Sequence, residues 1–304
     1  ASALYFASAT GSTEILRLLV NQNADVNARD YRQRTPLVGA AKGAHTPCCE
    51  ILMTAGAASL DPRDKEVQSA VFYSVRKGNM DALSLLLSAK ASLYILDSQG
   101  KTPLLVAKES TQSTVTEYLS SLGPEYALFT AAASGDRTLV RELIEKKAAV
   151  DAQNDMGPTV LEMAVRLEKT NIIKLLAGAG ARVTEADTWA NEALRSAVLR
   201  NDIPFVRALA CTDVDIDAKN SEGLSTLEIA LKQKKTAGVQ VLLEVGASLP
   251  NPQVVHVREA VCNAAATGEL NLLKLLVAAK ASVDVRDEKG RTPLQIAEKA
   301  KKTE

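Results

Sequence analysis

The chain has 304 residues, enough for two ordinary domains or for one elongated domain. Lys and Arg together number 36, as do Asp and Glu, so the net charge is zero, which argues against a general nucleic-acid or membrane-surface binder. Four cysteines form no disulfide framework in a chain of this length, and we therefore expect a reducing, cytoplasmic location. No segment approaches the roughly 18 apolar residues of a membrane span, so we expect no membrane insertion.

One sequence unit recurs along the whole chain. Its copies start at Ser2 and at residues 35, 69, 102, 126, 159, 192, 225, 259 and 292, so eight of the nine intervals are 33 or 34 residues. Each copy predicts a short first helix, in which a Leu or Val lies three places before a small residue on one helix face. A polar turn, a second apolar helix and a short extended segment follow. Self-similarity at this period indicates a repeat architecture.

The unit resembles the ankyrin repeat. The resemblance rests on the starts Thr35–Leu37, Thr102–Leu104 and Thr292–Leu294, and on the closing segment Ala24–Ala28. It covers essentially the whole chain and implies an all-α repeat, an α-solenoid of about nine and a half helix pairs with short β-hairpin fingers. The chain departs from the family's pattern where the family has a histidine, because Val38, Leu105 and Gln295 stand there.

The interval between the starts at residues 102 and 126 is only 24 residues, about one hairpin shorter than the others. We predict no finger at Ser120–Pro124. We also predict a division near residues 120–125 into repeats 1–4, residues 1–124, and repeats 5–10, residues 125–304, with the last repeat truncated. Two interpretations of the junction stay open. It is either a tolerated loop deletion, or a hinge or notch that admits a partner.

Residues that could carry chemistry are sparse. The only two histidines, His45 and His256, fall in a turn and a connecting segment, where structural or solvated roles are expected. Cys48 and Cys49 occupy apolar positions of a second helix, which predicts buried hydrophobic roles. The chain shows no phosphate-binding loop, no zinc-ligand spacing and no nucleophile with a recognisable base. The sequence therefore predicts no enzyme activity, cofactor or metal.

In the ankyrin family, partners commonly contact the fingers and the exposed side of the first helices. Two positions of each unit point there: the residue before the unit start and the residue seven after it. These positions carry two acidic residues and nine basic ones, which are Arg34, Lys42, Arg76, Lys101, Arg166, Lys232, Arg258, Arg291 and Lys299. The hypothesis is a basic concave or finger face that binds an acidic protein partner and weakens as salt rises. The alternative is a solvated face that is basic by chance.

Three functions are compatible with these features. The preferred one is a reversible protein-binding scaffold of the cytoplasm. The second is a structural subunit built permanently into a large cytoskeletal or organellar assembly, which clustering of Trp189, Tyr31, Tyr94 and Leu224 would favour. The third is the regulatory ankyrin segment of a longer enzyme.

Overall fold

A computed structural model describes residues 2–56, 69–155, 157–183, 188–249 and 255–300. In these ranges the chain is an all-α repeat in which odd-numbered helices are the first helices of each pair and even-numbered helices are the second. The described helices are α1 (Ala3–Thr10), α2 (Thr13–Asn21), α3 (Pro36–Lys42), α4 (Thr46–Thr54), α5 (Ala70–Lys77), α6 (Met80–Ser88), α7 (Pro103–Glu109), α8 (Ser113–Ser120), α9 (Pro124–Ser134), α10 (Arg137–Glu145), α11 (Val160–Arg166), α12 (Thr170–Gly178), α13 (Thr188–Arg200), α14 (Ile203–Leu209), α15 (Thr226–Lys232), α16 (Thr236–Glu244), α17 (Val255–Thr267), α18 (Leu270–Ala278) and α19 (Pro293–Lys299). The number of ankyrin repeats stays a prediction.

The Thr-Pro-Leu starts are helix N-termini. The Thr35 hydroxyl accepts a hydrogen bond from the amide of Val38 at 3.4 Å, and Thr102 caps α7 in the same way. At α19 the cap is reciprocal, because the Gln295 amide donates to Thr292 while Gln295 Oε1 accepts from the Thr292 amide. The helix start therefore survives the loss of the family's histidine.

The predicted Leu and small positions form the core. In the first nine units the Leu or Val is at most 4 % exposed and the small residue at most 5 % exposed. Each buried Leu stabilises the stack by roughly 2 kcal/mol. In the tenth unit Leu294 is 69 % exposed. Cys48 and Cys49 are fully buried, as predicted.

Contacts divide the chain into two compact units, unit 1 (Ala1–Met163) and unit 2 (Ala164–Glu304). In unit 1, α1 packs on α3, α3 on α5, α5 on α7 and α7 on α9. In unit 2, α13 packs on α15, α15 on α17 and α17 on α19, and the second helices α12, α14, α16 and α18 pack in the same order. Each unit is therefore a stack of helix pairs, as in an α-solenoid. The predicted boundary at residues 124 and 125 lies inside unit 1, and the separation of repeats 1–4 from repeats 5–10 stays a prediction.

Five fingers share one turn, in which an Asp or Asn begins the turn and a hydrogen bond links its amide to the carbonyl four residues later. The residues that begin these turns are Asp30, Asp97, Asn154, Asn220 and Asp287. In the first finger, Oδ1 of Asp30 also accepts from the amides of Arg32 and Arg34, both at 2.9 Å. Only two isolated bridges, at Gln153–Thr159 and Lys219–Ser225, occur in the described residues. The fingers are therefore closed turns, shorter than the β-hairpins that the resemblance implied.

The short interval has no finger, as predicted, because α8 ends at Ser120 and α9 begins at Pro124. The ring of Tyr94 covers the gap, with its centroid 5.5 Å from that of Tyr126 and 5.2 Å from that of Phe129. The cavity left beside these rings is about 10 Å³, room for no more than about one water molecule. Side chains of the chain itself therefore occupy this space, and both interpretations of the junction, a tolerated deletion and a hinge or notch, stay predictions.

Candidate protein-binding surface

The exposed sides of the first helices and the fingers form one surface within each unit, which we call the first-helix face. All nine predicted basic residues lie there, but four of them form ion pairs within the chain. These pairs are Arg34–Asp30 at 2.6 Å, Arg76–Asp97 at 3.7 Å, Lys101–Glu109 at 2.7 Å and Arg291–Asp287 at 2.7 Å. A carboxylate this close offsets much of each positive charge. The count of basic residues in the sequence therefore overstated the charge offered to a partner.

Arg34 shows why its position is basic. Its Nε and Nη2 atoms donate to Oδ2 of Asp30 at 2.9 and 2.6 Å, and its guanidinium carbon lies 4.5 Å from the centroid of the Tyr5 ring. Burial alone would raise the pKa of Asp30, but the hydrogen bonds from Arg34 and Arg32 lower that pKa below its ordinary value of 3.8. The side chain of Arg34 is only 14 % exposed. Arg34 therefore closes its own finger and has little surface left for a partner.

The five fingers repeat this relation in their residue types. Asp30, Asp97 and Asp287 are followed four residues later by Arg34, Lys101 and Arg291, whereas Asn154 and Asn220 are followed by Pro158 and Leu224. A turn that begins with a carboxylate thus takes a cation at its end, and a turn that begins with an amide takes an apolar residue. The last residue of each finger turn was considered by itself, so the dependence of that residue on the first residue of the turn was missed. The spacing of Asp and Arg was the signal that could have revealed it.

The other five predicted residues are Lys42, Arg166, Lys232, Arg258 and Lys299. All are exposed except Arg258, which is half-buried. In the part of the chain that the structure describes, Lys42, Lys232, Arg258 and Lys299 have no carboxylate oxygen within 4 Å. The Lys42 ammonium instead lies 5.5 Å from the centroid of the Tyr73 ring. The usable positive charge is therefore smaller than predicted, and most of it belongs to unit 2.

A cavity of about 480 Å³ opens on the first-helix face of unit 2, between α13, the finger at residues 219–225 and α15. Leu199, Leu224 and Lys232, which the sequence had placed at partner-facing positions, line this cavity together. Leu199 is 40 % exposed. Arg195 also lines it and was missed, because it lies one helical turn before Leu199 and outside the two positions considered.

Within neither unit do the described residues Trp189, Tyr31, Tyr94 and Leu224 form the cluster that would favour a permanent interface. In unit 1, Tyr94 packs on Tyr126 and Phe129, which leaves Tyr31, at 65 % exposure, on the first fingertip. In unit 2, Leu224 belongs to the cavity and Trp189 is half-buried on α13.

Within the described ranges, no three His, Cys, Asp or Glu side chains come together in a way that could hold a metal ion. No helix there is long and apolar enough to cross a membrane. Burial raises the pKa of the Cys49 thiol to about 12, which keeps it protonated at neutral pH. Cys49 is therefore a packing residue rather than a nucleophile.

Comparison with known families matches residues 1–64 and 121–187 to the model described as ankyrin repeats, three copies. These two ranges, a little under half of the chain, therefore resemble ankyrin repeats. The ankyrin repeat is a non-catalytic module that mediates protein–protein interaction, so a binding surface is the kind of site to seek in this chain.

Ankyrin repeat relatives differ widely in the proteins that contain them. An ankyrin repeat domain-containing protein, SAT10 of Stachybotrys chartarum, is 25 % identical over 242 residues, which cover 77 % of this chain and 12 % of that protein. The E3 ubiquitin-protein ligase KEG of Arabidopsis thaliana is 25 % identical over 96 % of this chain and 20 % of its own length. The B-cell lymphoma 3 protein homolog of Mus musculus is 28 % identical over 49 % of this chain and 34 % of its own length. The chain therefore spans about a third or less of each of these relatives.

Proposed function

We propose that this ankyrin repeat chain is a non-catalytic scaffold of the cytoplasm that binds an acidic protein partner on its first-helix face. The observation that carries the proposal is the cavity of about 480 Å³ in unit 2. Sites of a few hundred cubic ångströms that combine apolar walls with a few polar groups are the usual form of a binding pocket. Leu199 and Leu224 supply the apolar walls, Arg195 and Lys232 supply positive charge, and Glu192 and Glu222 add two exposed carboxylates.

The acidic character of the partner rests on the cations without a carboxylate neighbour. Lys232, Arg258 and Lys299 all lie on the first-helix face of unit 2, and Lys42 lies on that of unit 1. Opposite charges across an interface speed association and select the partner, and salt screens them. The four cysteines are free thiols, which supports a reducing compartment.

A second candidate function is that of the regulatory ankyrin segment of a longer enzyme. The observation that favours it is the match to the E3 ubiquitin-protein ligase KEG, which covers nearly all of this chain but a fifth of that protein. In that case the binding surface would recruit a protein to catalysis elsewhere. The chemistry of the first-helix face would be the same.

The test compares two charge reversals of equal size in unit 2. One variant carries Lys232→Glu and Lys299→Glu on the first-helix face, and the other carries Lys174→Glu and Lys274→Glu on the second helices α12 and α18. All four lysines are exposed. We expect the first variant to bind the captured partner about tenfold more weakly and the second to bind like the wild type.

Two results would count against the proposal. Equal binding by both variants, with an affinity that salt does not change, would remove the acidic partner. Weaker binding by the second-helix variant alone would place the partner on the opposite surface.

A further inference from the structure

Helix α13 holds an unusual concentration of unsatisfied polar atoms. Among the described residues, the buried side-chain atoms without a hydrogen-bond partner include Trp189 Nε1, Asn191 Oδ1 and Arg195 Nη1, all on this helix. Buried polar groups in folded proteins are almost always hydrogen-bonded, because leaving them unpaired costs free energy. Three of these atoms therefore lie on α13.

Arg195 is the one of these three residues that lines the cavity of unit 2. Glu192 and Glu222 line the same cavity, yet both are exposed, and no described carboxylate oxygen lies within 4 Å of the Arg195 guanidinium. The neighbouring Arg200, by contrast, has its own partner, since its Nη1 atom lies 2.6 Å from Oε1 of Glu168. Arg195 thus lines the cavity without a carboxylate partner among the described residues, and its unpaired Nη1 atom is itself buried.

We infer that this cavity binds a single carboxylate side chain of the protein partner together with an aliphatic side chain beside it. This inference rests on the proposed function and names the partner chemistry of that same surface. A partner that covers the cavity removes water from Arg195, and a covered guanidinium without a counter-charge is costly. A carboxylate supplies that charge and can accept two parallel hydrogen bonds, which a neutral amide cannot match.

The walls explain the aliphatic component. Leu199 is 40 % exposed, and Leu224 and Ile229 are half-buried beside it. An aliphatic side chain that fills this space removes their apolar surface from water. The exposed carboxylates of Glu192 and Glu222 disfavour a run of acidic residues, since each further carboxylate would meet like charge. The cavity therefore selects one acid beside one aliphatic residue rather than a polyacidic segment.

A substitution at Arg195 should affect stability and binding differently. Arg195→Met removes the unpaired donor and keeps an unbranched side chain of similar length, so we expect the midpoint of urea unfolding to stay the same or rise. An arginine that held the fold together would give a lower midpoint. Stability and binding should thus respond in opposite directions.

The binding experiment uses the full chain and three blocked dipeptides: acetyl-glutamyl-leucine amide, its glutaminyl analogue and its glutamyl-glutamate analogue. The signal is the Nε–Hε resonance of Arg195 in nitrogen–proton correlation spectra, assigned by its loss in Arg195→Lys. A dipeptide with two anchor groups should bind with a dissociation constant of roughly 1 mM. We expect the glutamyl-leucine peptide to shift this resonance. We expect each of the two analogues to bind with an affinity at least about fivefold lower.

Any one of three results would overturn the inference. The Arg195 resonance could fail to shift at about 10 mM glutamyl-leucine peptide, the glutamyl and glutaminyl peptides could bind with equal affinity, or the midpoint of urea unfolding could fall in Arg195→Met. If a protein partner still contacts the first-helix face in the charge-reversal test, only the choice of ligand is wrong. If that test fails while Arg195 responds to the peptide, the proposed acidic-partner surface is wrong and the cavity stands as a local site.

Discussion

Replacing Asp30 by asparagine removes the negative charge that holds Arg34 but leaves an oxygen that can still accept the amides of Arg32 and Arg34. The change copies the fingers that begin with Asn154 and Asn220, which carry no cation four residues later. The variant therefore isolates the ion pair from the turn that contains it.

The magnitude follows from the geometry of the pair. If the asparagine oxygen keeps the two backbone hydrogen bonds, its NH2 group replaces Oδ2 and cannot accept from Arg34, so the two charge-assisted hydrogen bonds of 2.9 and 2.6 Å are lost. The Asp30 side chain is 0 % exposed and that of Arg34 only 14 %. Removing one partner of a fully buried pair costs about 3–5 kcal/mol. The remaining amide oxygen and the contact with the Tyr5 ring reduce that loss, so we expect Asp30→Asn to lower the free energy of unfolding by about 2 kcal/mol.

The assay is a double-mutant cycle of wild type, Asp30→Asn, Arg34→Leu and the double variant, measured by urea unfolding and by hydrogen exchange of the Arg34 amide. Because Asn220 and Leu224 already form this combination, the double variant should recover at least half of the loss. Asp97→Asn is the matched control and should cost less, since its nearest cation, on Arg76, lies 3.7 Å away. A coupling free energy within about 0.3 kcal/mol of zero would refute the ion-pair explanation of the basic finger positions.

Three further predictions concern local features of unit 1. Gln33 has a φ of +64° where the other four fingers have glycine, so Gln33→Gly should raise the free energy of unfolding by about 0.5–1 kcal/mol, as measured by urea unfolding. Tyr94→Ala should lower it by about 2–3 kcal/mol by removing the ring that fills the short interval. Asp136 caps α10, so Asp136→Ala should cost about 1 kcal/mol at neutral pH. The hydrogen bond from Thr138 is the main cause that holds the folded-state pKa of Asp136 below 3.8, so its contribution exists above pH 3.8 and is lost as the pH falls through that lower value.

Each of these predictions has its own control. Gly223→Ala, at a φ of +76°, should destabilise, and a stabilising result would contradict the strain at Gln33. Tyr94→Phe should stay within about 0.5 kcal/mol of the wild type if packing is the cause, whereas an equal loss in both variants would point to the hydroxyl group. For Asp136, an effect of the alanine change that persists unaltered far below pH 3.8 would exclude the charged cap.

Most of the fold could be predicted from the sequence, because one Leu and one small residue per unit report the helix interface and recur at a fixed period. The absence of a finger near Pro124 was visible as a missing length of chain. The residue that occupies this space could not be predicted from the sequence. Tyr94 is distant in sequence from Tyr126 and Phe129 and contacts them only after the helices stack.

The candidate site was predictable only in outline. Leu199 and Lys232 were predicted to face a partner and line the cavity, but Arg195 lies at a helix position that usually packs in the core. Charge was overestimated because a sequence count gives each lysine and arginine full weight. The carboxylate of Asp30 offsets the charge of Arg34 only because the finger turn places the two side chains in contact, and this turn forms in the folded chain.

A protein partner of this chain should bind to the first-helix face of unit 2. Site-specific photo-cross-linking tests it most directly, with a photoreactive amino acid placed at Leu199 in the cavity or at Lys174 on the second helix α12. We expect one protein to be cross-linked from position 199, to be displaced by unlabelled wild-type chain and not to be cross-linked from position 174. Cross-linking of that protein from position 174 and not from position 199 would contradict it.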